Sequence, residues 1–408
     1  MDKATADFRS RFPALSRQVY GKPLVYFDNA ATSQRPDCVL EMQDVMNTAA
    51  CANVHRAVHR LANDATELYQ KGREAAAAFI GAPADGEVIF TSGTTAGINL
   101  VASSFGRQFL RSGDKIIISD SEHLSDIVPW QLACEIHGST LEVVPTTEDG
   151  SFDMDAYLKL LDGRVRIVAV AQMTNVSGVS FPLKEIISAA HDAGAAVLVD
   201  GAQGIVHDGV DVGSIDCDFY AFSGHKIYAP TGTGILYGKR SLLEQMPPYM
   251  GGGDMVDRVT FEKTTYGPLP LKFEAGTQNI SAAACLAPAL GLAAEAMTNA
   301  ELQAAFSATE SLMAEQLRDI PGLHCPSLDN PARKGLFSFY IDGVHPADAA
   351  QIMDKMGVAV RTGFMCAEPY VRKYSDHGMM RASLMPYNTP EEVGIFIQAL
   401  RRAVEMLR

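Results

Sequence analysis

Apolar runs rich in β-branched residues, most of them separated by helical stretches, constrain the fold of this chain more than any other feature. Continuous apolar runs, unlike strict alternation, are typical of strands buried on both faces, and strands that alternate with helices form parallel sheets. The sequence therefore predicts an α/β fold around a mostly parallel, seven-stranded sheet flanked by helices. The predicted strands are Glu87–Thr91, Lys115–Ser119, Leu141–Val144, Arg166–Ala171, Ala195–Asp200, Phe219–Phe222 and Gly234–Tyr237.

Other segments outside this series also carry local signals. A short amphipathic helix is predicted over Ala6–Gln18, and a longer helix is predicted to begin at Asn63 or Asp64, both good N-caps, and to end at Ile80. Gly251–Gly276 is predicted to be a long loop with few periodic apolar positions. Such a length indicates a lid or a subunit contact, with plain disorder as the alternative.

A chain of 408 residues is too long for one simple core, so we expect a large and a smaller domain. The large domain is predicted to span residues 23–295. Residues 296–408 mix strand-like Leu336–Ile341 and Met380–Leu384 with helical Pro346–Met356 and Pro390–Leu407, which predicts a smaller α+β C-terminal domain. Residues 1–22 are predicted to pack with this smaller domain.

Charge and cysteine usage exclude several classes of function. Lys and Arg number 34 against 48 Asp and Glu, and the net charge of −14 disfavours binding to nucleic acid or to an anionic membrane. The apolar stretch Ala282–Ala294 is interrupted by Pro288 and is predicted to be a buried helix, so no membrane span is expected. The polar N-terminus does not resemble a signal peptide. The seven cysteines are scattered without a C-x-x-C pair, which predicts a reducing, cytoplasmic location and no zinc site.

One lysine follows the end of a predicted buried strand. The aromatic run from Asp218 ends at Ser223-Gly224, and Lys226 comes two residues later. A lysine in a dry, confined site has its ammonium form disfavoured, so its amine becomes available for Schiff-base chemistry. The ordinary alternative is a surface-loop lysine, and other residues must decide between the two.

Polar groups follow three other strands of the same predicted sheet. Thr91–Gly97 opens a helix with small and hydroxylated residues, which suits a phosphate at the helix N-terminus, although a plain helix cap fits equally well and no P-loop is present. Asp200 ends a strand where α/β sheets place ligands, and a protonated pyridine nitrogen is one partner for it, with helix capping as the alternative. His123 could lie against a flat ligand or be structural.

Taken together, a phosphate site, an aspartate, a histidine and a strand-end lysine match what pyridoxal 5'-phosphate requires. Thr91–Thr95, Asp200–Gln203 and Ser223–Lys226 resemble the corresponding segments of fold-type I pyridoxal phosphate enzymes of aminotransferase class V. Three further segments resemble the SUF-type, or group II, cysteine desulfurases, and the similarity covers nearly the whole chain: Asn53–Arg56, Phe273–Thr277 and Arg361–Ala367.

The resemblance implies a role for each matching residue at the cofactor. Lys226 is expected to bind the cofactor covalently, Asp200 to pair with its ring nitrogen and His123 to stack on its ring. Gln203 is expected to contact the phenolic oxygen, with Asn175 nearby. The expected phosphate ligands are Thr94, Thr95, Ser223, His225 and, from the neighbouring subunit of a homodimer, Thr277.

The resemblance also implies a substrate site and a nucleophile. Arg381 is expected to bind the carboxylate of an amino acid, a task that suits a bidentate guanidinium. Cys366 is expected to accept the sulfur of the substrate as a persulfide while alanine is released, with Arg361 favouring its thiolate, and the other six cysteines are expected to be inert. The full expected substrate-binding set is Arg381, Asn175, Arg361, His55 and Ala31.

The implied activity is conversion of L-cysteine to L-alanine, supplying sulfur for Fe–S cluster assembly through a SUF-type acceptor protein, with L-selenocysteine as a second substrate. Two alternatives stay open at this point. One is another class V reaction, such as transamination or C–S cleavage without persulfide transfer, and the other is a non-catalytic binding homologue.

The chain departs from the family pattern at two places. Phe364-Met365 stands where many relatives carry two histidines before the cysteine, and Leu124 stands where a second histidine is common. Apolar groups remove proton carriers and change the dielectric around the thiol. Both departures therefore bear on persulfide formation and on the choice of sulfur acceptor.

Overall fold

The chain begins with a short helix that ends ahead of a proline. The structure is a computed structural model and describes residues 2–55, 58–84 and 86–408. The predicted helix Ala6–Gln18 is wrong in its bounds, because Pro13 lacks the N–H that would continue the helix and instead starts a 3₁₀ turn, Pro13–Ser16. The first elements are α1 (Lys3–Ser10), β1 (Gln18–Val19), β2 (Lys22–Pro23), β3 (Val25–Tyr26), α2 (Asp37–Thr48) and α3 (Arg60–Phe79).

Helix α3 begins earlier than the sequence predicts. Its N-cap is His59, whose Nδ1 accepts a hydrogen bond from the backbone N–H of Ala62 at 3.2 Å. The predicted caps, Asn63 and Asp64, therefore lie inside the helix, and Asp64 forms an ion pair with Arg60 there at 2.7 Å. An imidazole nitrogen performs the acceptor role that carboxylates and amides usually perform.

The prediction of an α/β fold around a seven-stranded, mostly parallel sheet is confirmed. The strand order is β4-β10-β9-β8-β7-β5-β6, and β10 alone runs antiparallel to its two neighbours. Helices cover both faces. The elements are β4 (Gly86–Thr91), α4 (Thr94–Phe109), β5 (Lys115–Ser119), α5 (Val128–His137), β6 (Thr140–Val144), α6 (Met154–Leu160), β7 (Val165–Ala171), α7 (Leu183–Asp192), β8 (Ala196–Asp200), α8 (Gly204–His207), α9 (Val212–Ile215), β9 (Phe219–Ser223) and β10 (Gly234–Lys239).

The predicted loop Gly251–Gly276 contains a β-hairpin. After α10 (Arg240–Gln245), strands β11 (Val256–Val259) and β12 (Thr264–Tyr266) pair antiparallel, and Phe261 is fully exposed at the turn between them. The prediction of an irregular loop is therefore wrong. These strands pair only with each other and pack little apolar surface, so they leave no burial pattern in the sequence.

The apolar helix predicted from Ala282 is divided in two, α11 (Ile280–Ala284) and α12 (Leu286–Thr298). Pro288 lies in the first turn of α12, where a missing backbone N–H costs nothing. By length and composition Ile280–Thr298 could cross a membrane, but 56% of its most apolar stretch is buried inside the protein, and the core helix of a globular protein meets the same criterion.

The C-terminal part forms a second core. A four-stranded sheet with the order β13-β14-β17-β16 packs its apolar side chains, including Phe337, Phe339 and Met380, against helices that contribute Phe396 and Leu400. Helix α1 lies against α13, and Arg9 forms an ion pair with Glu392 at 2.8 Å. The elements are α13 (Ala300–Arg318), β13 (Leu323–His324), β14 (Leu336–Ile341), α14 (Pro346–Lys355), β15 (Val358–Ala359), β16 (Arg361–Gly363), α15 (Glu368–Val371), β17 (Met379–Ser383) and α16 (Pro390–Leu407).

Candidate active site

A cavity of about 310 Å³ lies at the carboxyl ends of the parallel strands, where loops of the C-terminal part close over them. All the residues predicted for the site line this cavity except His55 and Thr277. The complete lining is Ala30, Ala31, Thr94, Thr95, His123, Ser125, Asn175, Asp200, Ala202, Gln203, Ser223, His225, Lys226, Arg361, Met365, Cys366 and Arg381.

Lys226 is held at the base of the cavity by the strand that precedes it. Strand β9 is buried along its whole length and runs into a 3₁₀ turn, Gly224–Lys226, which carries the amine. Burial lowers the pKa of Lys226 to about 8, although the charge of Asp200 opposes the shift. The uncharged amine that Schiff-base formation requires is therefore more accessible near neutral pH than in an ordinary lysine.

Asp200 ends strand β8, the neighbour of β9, and Gln203 lies three residues further on. The Asp200 carboxylate accepts a hydrogen bond from the N–H of Ala202 at 2.8 Å, and burial raises its pKa while Lys226 opposes the rise. A buried carboxylate beside a cation suits a protonated ring nitrogen. The Gln203 amide donates to the carbonyl of Ala30 at 2.8 Å, so this side chain also ties the turn after β3 to the sheet.

His123 presents a neutral imidazole to the cavity. Its Nδ1 accepts a hydrogen bond from the N–H of Ser125 at 3.0 Å, which leaves the ring proton on Nε2. Burial, with smaller contributions from the charges of Lys226 and Arg381, lowers the pKa of His123 to about 4. The ring therefore stays uncharged across the neutral range and offers a flat surface to an aromatic ligand.

The N-terminus of α4 forms an anion site with residues of the lysine turn. The Ser223 hydroxyl lies 2.8 Å from both the backbone N and the Oγ1 of Thr94, and the Thr95 hydroxyl lies 2.6 Å from that of Ser125. Nδ1 of His225 is buried and has no hydrogen-bond partner among the described residues. Helix α4 has 16 residues, so its dipole adds to the attraction for a phosphate.

Arg381 and Asn175 also line the cavity and contact each other. The Arg381 side chain is 4% exposed and donates to the Asn175 carbonyl at 2.7 Å, and burial lowers its pKa to about 10. Its Nε and the Oδ1 of Asn175 are buried without partners among the described residues. A guanidinium with a free donor in an enclosed cavity is suited to a carboxylate ligand.

Cys366 is exposed and lies on a loop that is fastened from two sides. Its carbonyl accepts from the N–H of Leu124 at 2.7 Å, and the Asn175 amide donates to the carbonyl of Met365 at 2.7 Å. Met365 and Cys366 have φ angles of 49° and 55°, a left-handed conformation that is costly for residues with side chains. The loop is thus fixed beside the His123 turn with the thiol at the cavity.

The structure corrects one expectation about charge. Arg361 lines the cavity, but its guanidinium is engaged by the Asp28 carboxylate at 2.8 and 3.2 Å and is not available as a free cation for the thiol. Cys51 is exposed like Cys366, and the expectation that the other six cysteines are inert stays a prediction.

His55 and Thr277 lie away from this cavity. Thr277 borders a second cavity of about 280 Å³ with Tyr249 and Met250, and the ring of His55 lies edge-on to Tyr69 at 5.5 Å. Arg56, which belongs to the same predicted motif as His55, is outside the described residues. The expected role of His55 in substrate binding and the expected contact of Thr277 with the phosphate of a neighbouring subunit stay predictions.

The apolar replacements noted in the sequence surround the cysteine loop. Leu124 contributes only its backbone N–H to Cys366, the Phe364 ring lies 4.7 Å from the Arg372 guanidinium, and Met365 belongs to an apolar cluster with Tyr370. None of the three side chains offers the loop a titratable nitrogen, in contrast to the histidines that they replace.

Sequence reasoning missed five residues at or beside the cavity. Proximity in the sequence was a usable signal for four of them, because each lies within two residues of a predicted site residue: Ala30, Ser125, Ala202 and Met365. Asp28 reaches the site only because the chain folds back, and no local pattern marks it. The described residues contain no group of three or more His, Cys, Asp or Glu side chains that could hold a metal ion.

The residues present fit pyridoxal 5'-phosphate. The unpartnered His225 nitrogen and the α4 N-terminus suit its phosphate, the buried Asp200 suits its ring nitrogen, and the Lys226 amine, with its lowered pKa, suits its aldehyde. The sheet and this cavity define the class of fold-type I pyridoxal phosphate enzymes.

Comparison with known proteins narrows the class. A family profile described as aminotransferase class V matches residues 25–396, and the chain belongs to this family. The chain is 43% identical to the cysteine desulfurase of Enterobacter sp. (strain 638) over 401 residues, 98% of each chain. It is similar to the structure of cysteine desulfurase CsdA from Escherichia coli, with a TM-score of 0.90, 37% identity and 99% of each chain covered. It is also similar to cysteine desulfurase from Thermococcus onnurineus NA1, with a TM-score of 0.92, 34% identity and 98% of each chain covered.

Proposed function

We propose that this protein is a pyridoxal 5'-phosphate-dependent cysteine desulfurase, which converts L-cysteine to L-alanine and receives the sulfur as a persulfide on Cys366. One observation carries the proposal: an exposed cysteine lies on a fastened loop that lines the same cavity as the half-buried Lys226 and the buried Arg381. Relatives named cysteine desulfurase match nearly the whole length of the chain, which supports the same activity.

When bound, pyridoxal 5'-phosphate supplies an electron sink that weakens the bonds around the α-carbon of the substrate. Lys226 holds the cofactor and, with a pKa lowered to about 8, exchanges protons near neutral pH. Asp200 would balance the charge on the ring nitrogen, and Arg381 would orient the substrate through its carboxylate. Cys366 lines the same cavity as these residues.

Sulfur transfer is then the task of Cys366. Its thiolate attacks the substrate sulfur, the new S–S bond forms as the Cβ–S bond breaks, and the carbon keeps the electron pair and takes a proton to become the methyl group of alanine. The attack requires thiolate character and access, and the exposure of Cys366 supplies the access.

The test compares Cys366→Ser with Cys51→Ser, which changes the other exposed cysteine. We expect Cys366→Ser to reduce alanine release from L-cysteine by more than about 100-fold and to abolish the persulfide detected by mass spectrometry, while Cys51→Ser keeps both. Alanine release at the wild-type rate by Cys366→Ser would refute the persulfide mechanism and leave another class V reaction, such as C–S cleavage without transfer. A protein that stays colourless with added cofactor would support a non-catalytic homologue.

We also propose that the enzyme is of the SUF type and passes its sulfur to an acceptor protein for Fe–S cluster assembly. The segments Phe273–Thr277 and Arg361–Ala367 support this subtype, and exposure of Cys366 suits a protein acceptor. Alanine release should rise when a SUF-type acceptor is added, and an unchanged rate would contradict the subtype. Parallel assays with L-selenocysteine test the second substrate.

A cytoplasmic homodimer is the proposed state of the enzyme. Thr277 and His55 do not line the cavity of their own chain, which fits a contribution to the site of a second copy. A twofold arrangement would complete both sites reciprocally. Sedimentation of a fully active protein as a monomer would contradict the dimer, and recovery of the native enzyme outside the cytoplasmic fraction would contradict the location.

A further inference from the structure

Asp28 lies between the two arginines of the cavity. It follows strand β3, its side chain is 17% exposed, and its carboxylate binds Arg361 through two nitrogens at 2.8 and 3.2 Å. The second guanidinium, that of Arg381, approaches the same carboxylate at 3.9 Å. Among the described residues Asp28 is the one carboxylate within ion-pair distance of either arginine.

The charges of this group sum to one positive charge. Arg361 and Arg381 contribute two positive charges, and Asp28 cancels one of them. Lys226 and Asp200 are assigned to the cofactor, and His123 is neutral because burial lowers its pKa to about 4. One substrate carboxylate therefore neutralises the remaining positive charge of Arg361, Arg381 and Asp28 together. A second anionic group on the same substrate then finds no cation without a partner in this group.

We propose that Asp28 is a specificity-determining residue that restricts the cavity to amino acids with a single carboxylate. The proposal rests on the proposed function in one respect, the binding of the substrate carboxylate by Arg381. The Asp28 carboxylate pairs with the Arg361 guanidinium, which would otherwise attract a second anionic group of the substrate.

A purely mechanical role makes a different prediction. If the Asp28–Arg361 pair only fastened the strand that precedes the Cys366 loop to the turn after β3, its loss would loosen the cavity for charged and uncharged ligands alike. If it sets charge, its loss must change the ratio between two ligands of the same shape. L-aspartate and L-asparagine form such a pair, because they differ in one negative charge.

The experiment measures the dissociation constants of L-aspartate and L-asparagine for the holoenzyme from the change in cofactor absorption. We expect the wild type to prefer L-asparagine. Asp28→Asn should shift the aspartate-to-asparagine preference about tenfold toward L-aspartate, the size expected for one charge acting over several ångströms near the surface. Arg361→Gln removes a positive charge and should shift the preference by a similar factor in the opposite direction.

Two controls accompany these variants. Asp28→Glu keeps the charge and should retain the wild-type preference, and Asp162→Asn, which removes a carboxylate paired with Lys115 and Arg164 outside the cavity lining, should also leave it unchanged. An unchanged ratio in Asp28→Asn, or shifts of the same sign in Asp28→Asn and Arg361→Gln, would overturn the proposal. Should Asp28→Asn fail to fold, the Arg361→Gln result decides alone.

The assay separates this inference from the proposed function. Binding of L-aspartate and L-asparagine requires no desulfuration, whereas the activity is followed as alanine released from L-cysteine. A shifted binding ratio in a protein without alanine release would uphold the role of Asp28 and reject the desulfurase. An unshifted ratio in a protein that releases alanine would reject the role of Asp28 and uphold the desulfurase.

Discussion

Replacing Glu274 with alanine should destabilise the protein strongly, because its carboxylate is the hub of a buried polar cluster. One oxygen accepts from the Phe90 N–H and from Arg73, both at 2.7 Å, and the other accepts from Arg73 at 2.9 Å and from the Tyr69 hydroxyl at 3.3 Å. The Glu274 side chain is 2% exposed and that of Arg73 13%. This cluster fastens the segment leading to Thr277 onto β4 and α3.

The size of the destabilisation follows from the groups that Glu274→Ala leaves without a partner. The Arg73 guanidinium would stay enclosed above the ring of Phe90, 4.3 Å from its centroid, without a carboxylate partner, and the Phe90 N–H would lose its acceptor. Breaking a buried pair by removing one member costs about 3–5 kcal/mol. For a chain of 408 residues this corresponds to a decrease in Tm of about 4–6 °C.

Thermal unfolding of the holoenzyme, followed by circular dichroism, measures the effect. Glu274→Gln keeps the shape and part of the hydrogen bonding, so its Tm should lie between those of the wild type and Glu274→Ala. The double variant Arg73→Met with Glu274→Leu removes both charges and should lose less than the sum of Arg73→Met and Glu274→Leu measured singly. A decrease below about 1 °C for Glu274→Ala would refute the reasoning, because it would show that Arg73 finds water or another partner.

Two further predictions concern pH dependence and helix capping. Burial raises the pKa of Glu122, whose Oε1 accepts hydrogen bonds from the Ser119 hydroxyl and from the Ala171 N–H. The folded protein therefore keeps a proton that the unfolded chain releases. Stability falls as the pH rises above about 4.5 for this reason. Glu122→Gln should flatten the fall in Tm between about pH 5 and 7, and equal slopes for both proteins would contradict this. Thr389 and Glu392 form a reciprocal capping box at the start of α16, so Thr389→Ala should lower the free energy of unfolding by about 1 kcal/mol. The control is Ser10→Ala, because the exposed Ser10 hydroxyl caps no helix N-terminus. An equal loss of stability in the two variants would show that the capping box contributes nothing.

The parallel sheet was predictable because its strands are buried on both faces and therefore leave long apolar runs. Lys226, Asp200 and His123 were predictable for a related reason: the carboxyl ends of parallel strands meet at one edge, so polar residues after successive strands lie close together. Where burial is slight, prediction failed. The hairpin of β11 and β12 and the His59 cap of α3 depend on a few local hydrogen bonds that no apolar pattern reports.

The sequence by itself determined the class of fold and the chemistry at the strand ends, because periodicity and turn residues act over short distances along the chain. Only the tertiary structure decided which groups surround the thiol and the substrate carboxylate. Asp28 and Arg361 are far apart in sequence, yet they form one ion pair that removes the expected activating cation from Cys366. Such pairings arise when the C-terminal part packs over the sheet, and the electrostatics of a buried site depend on all the charges brought together there.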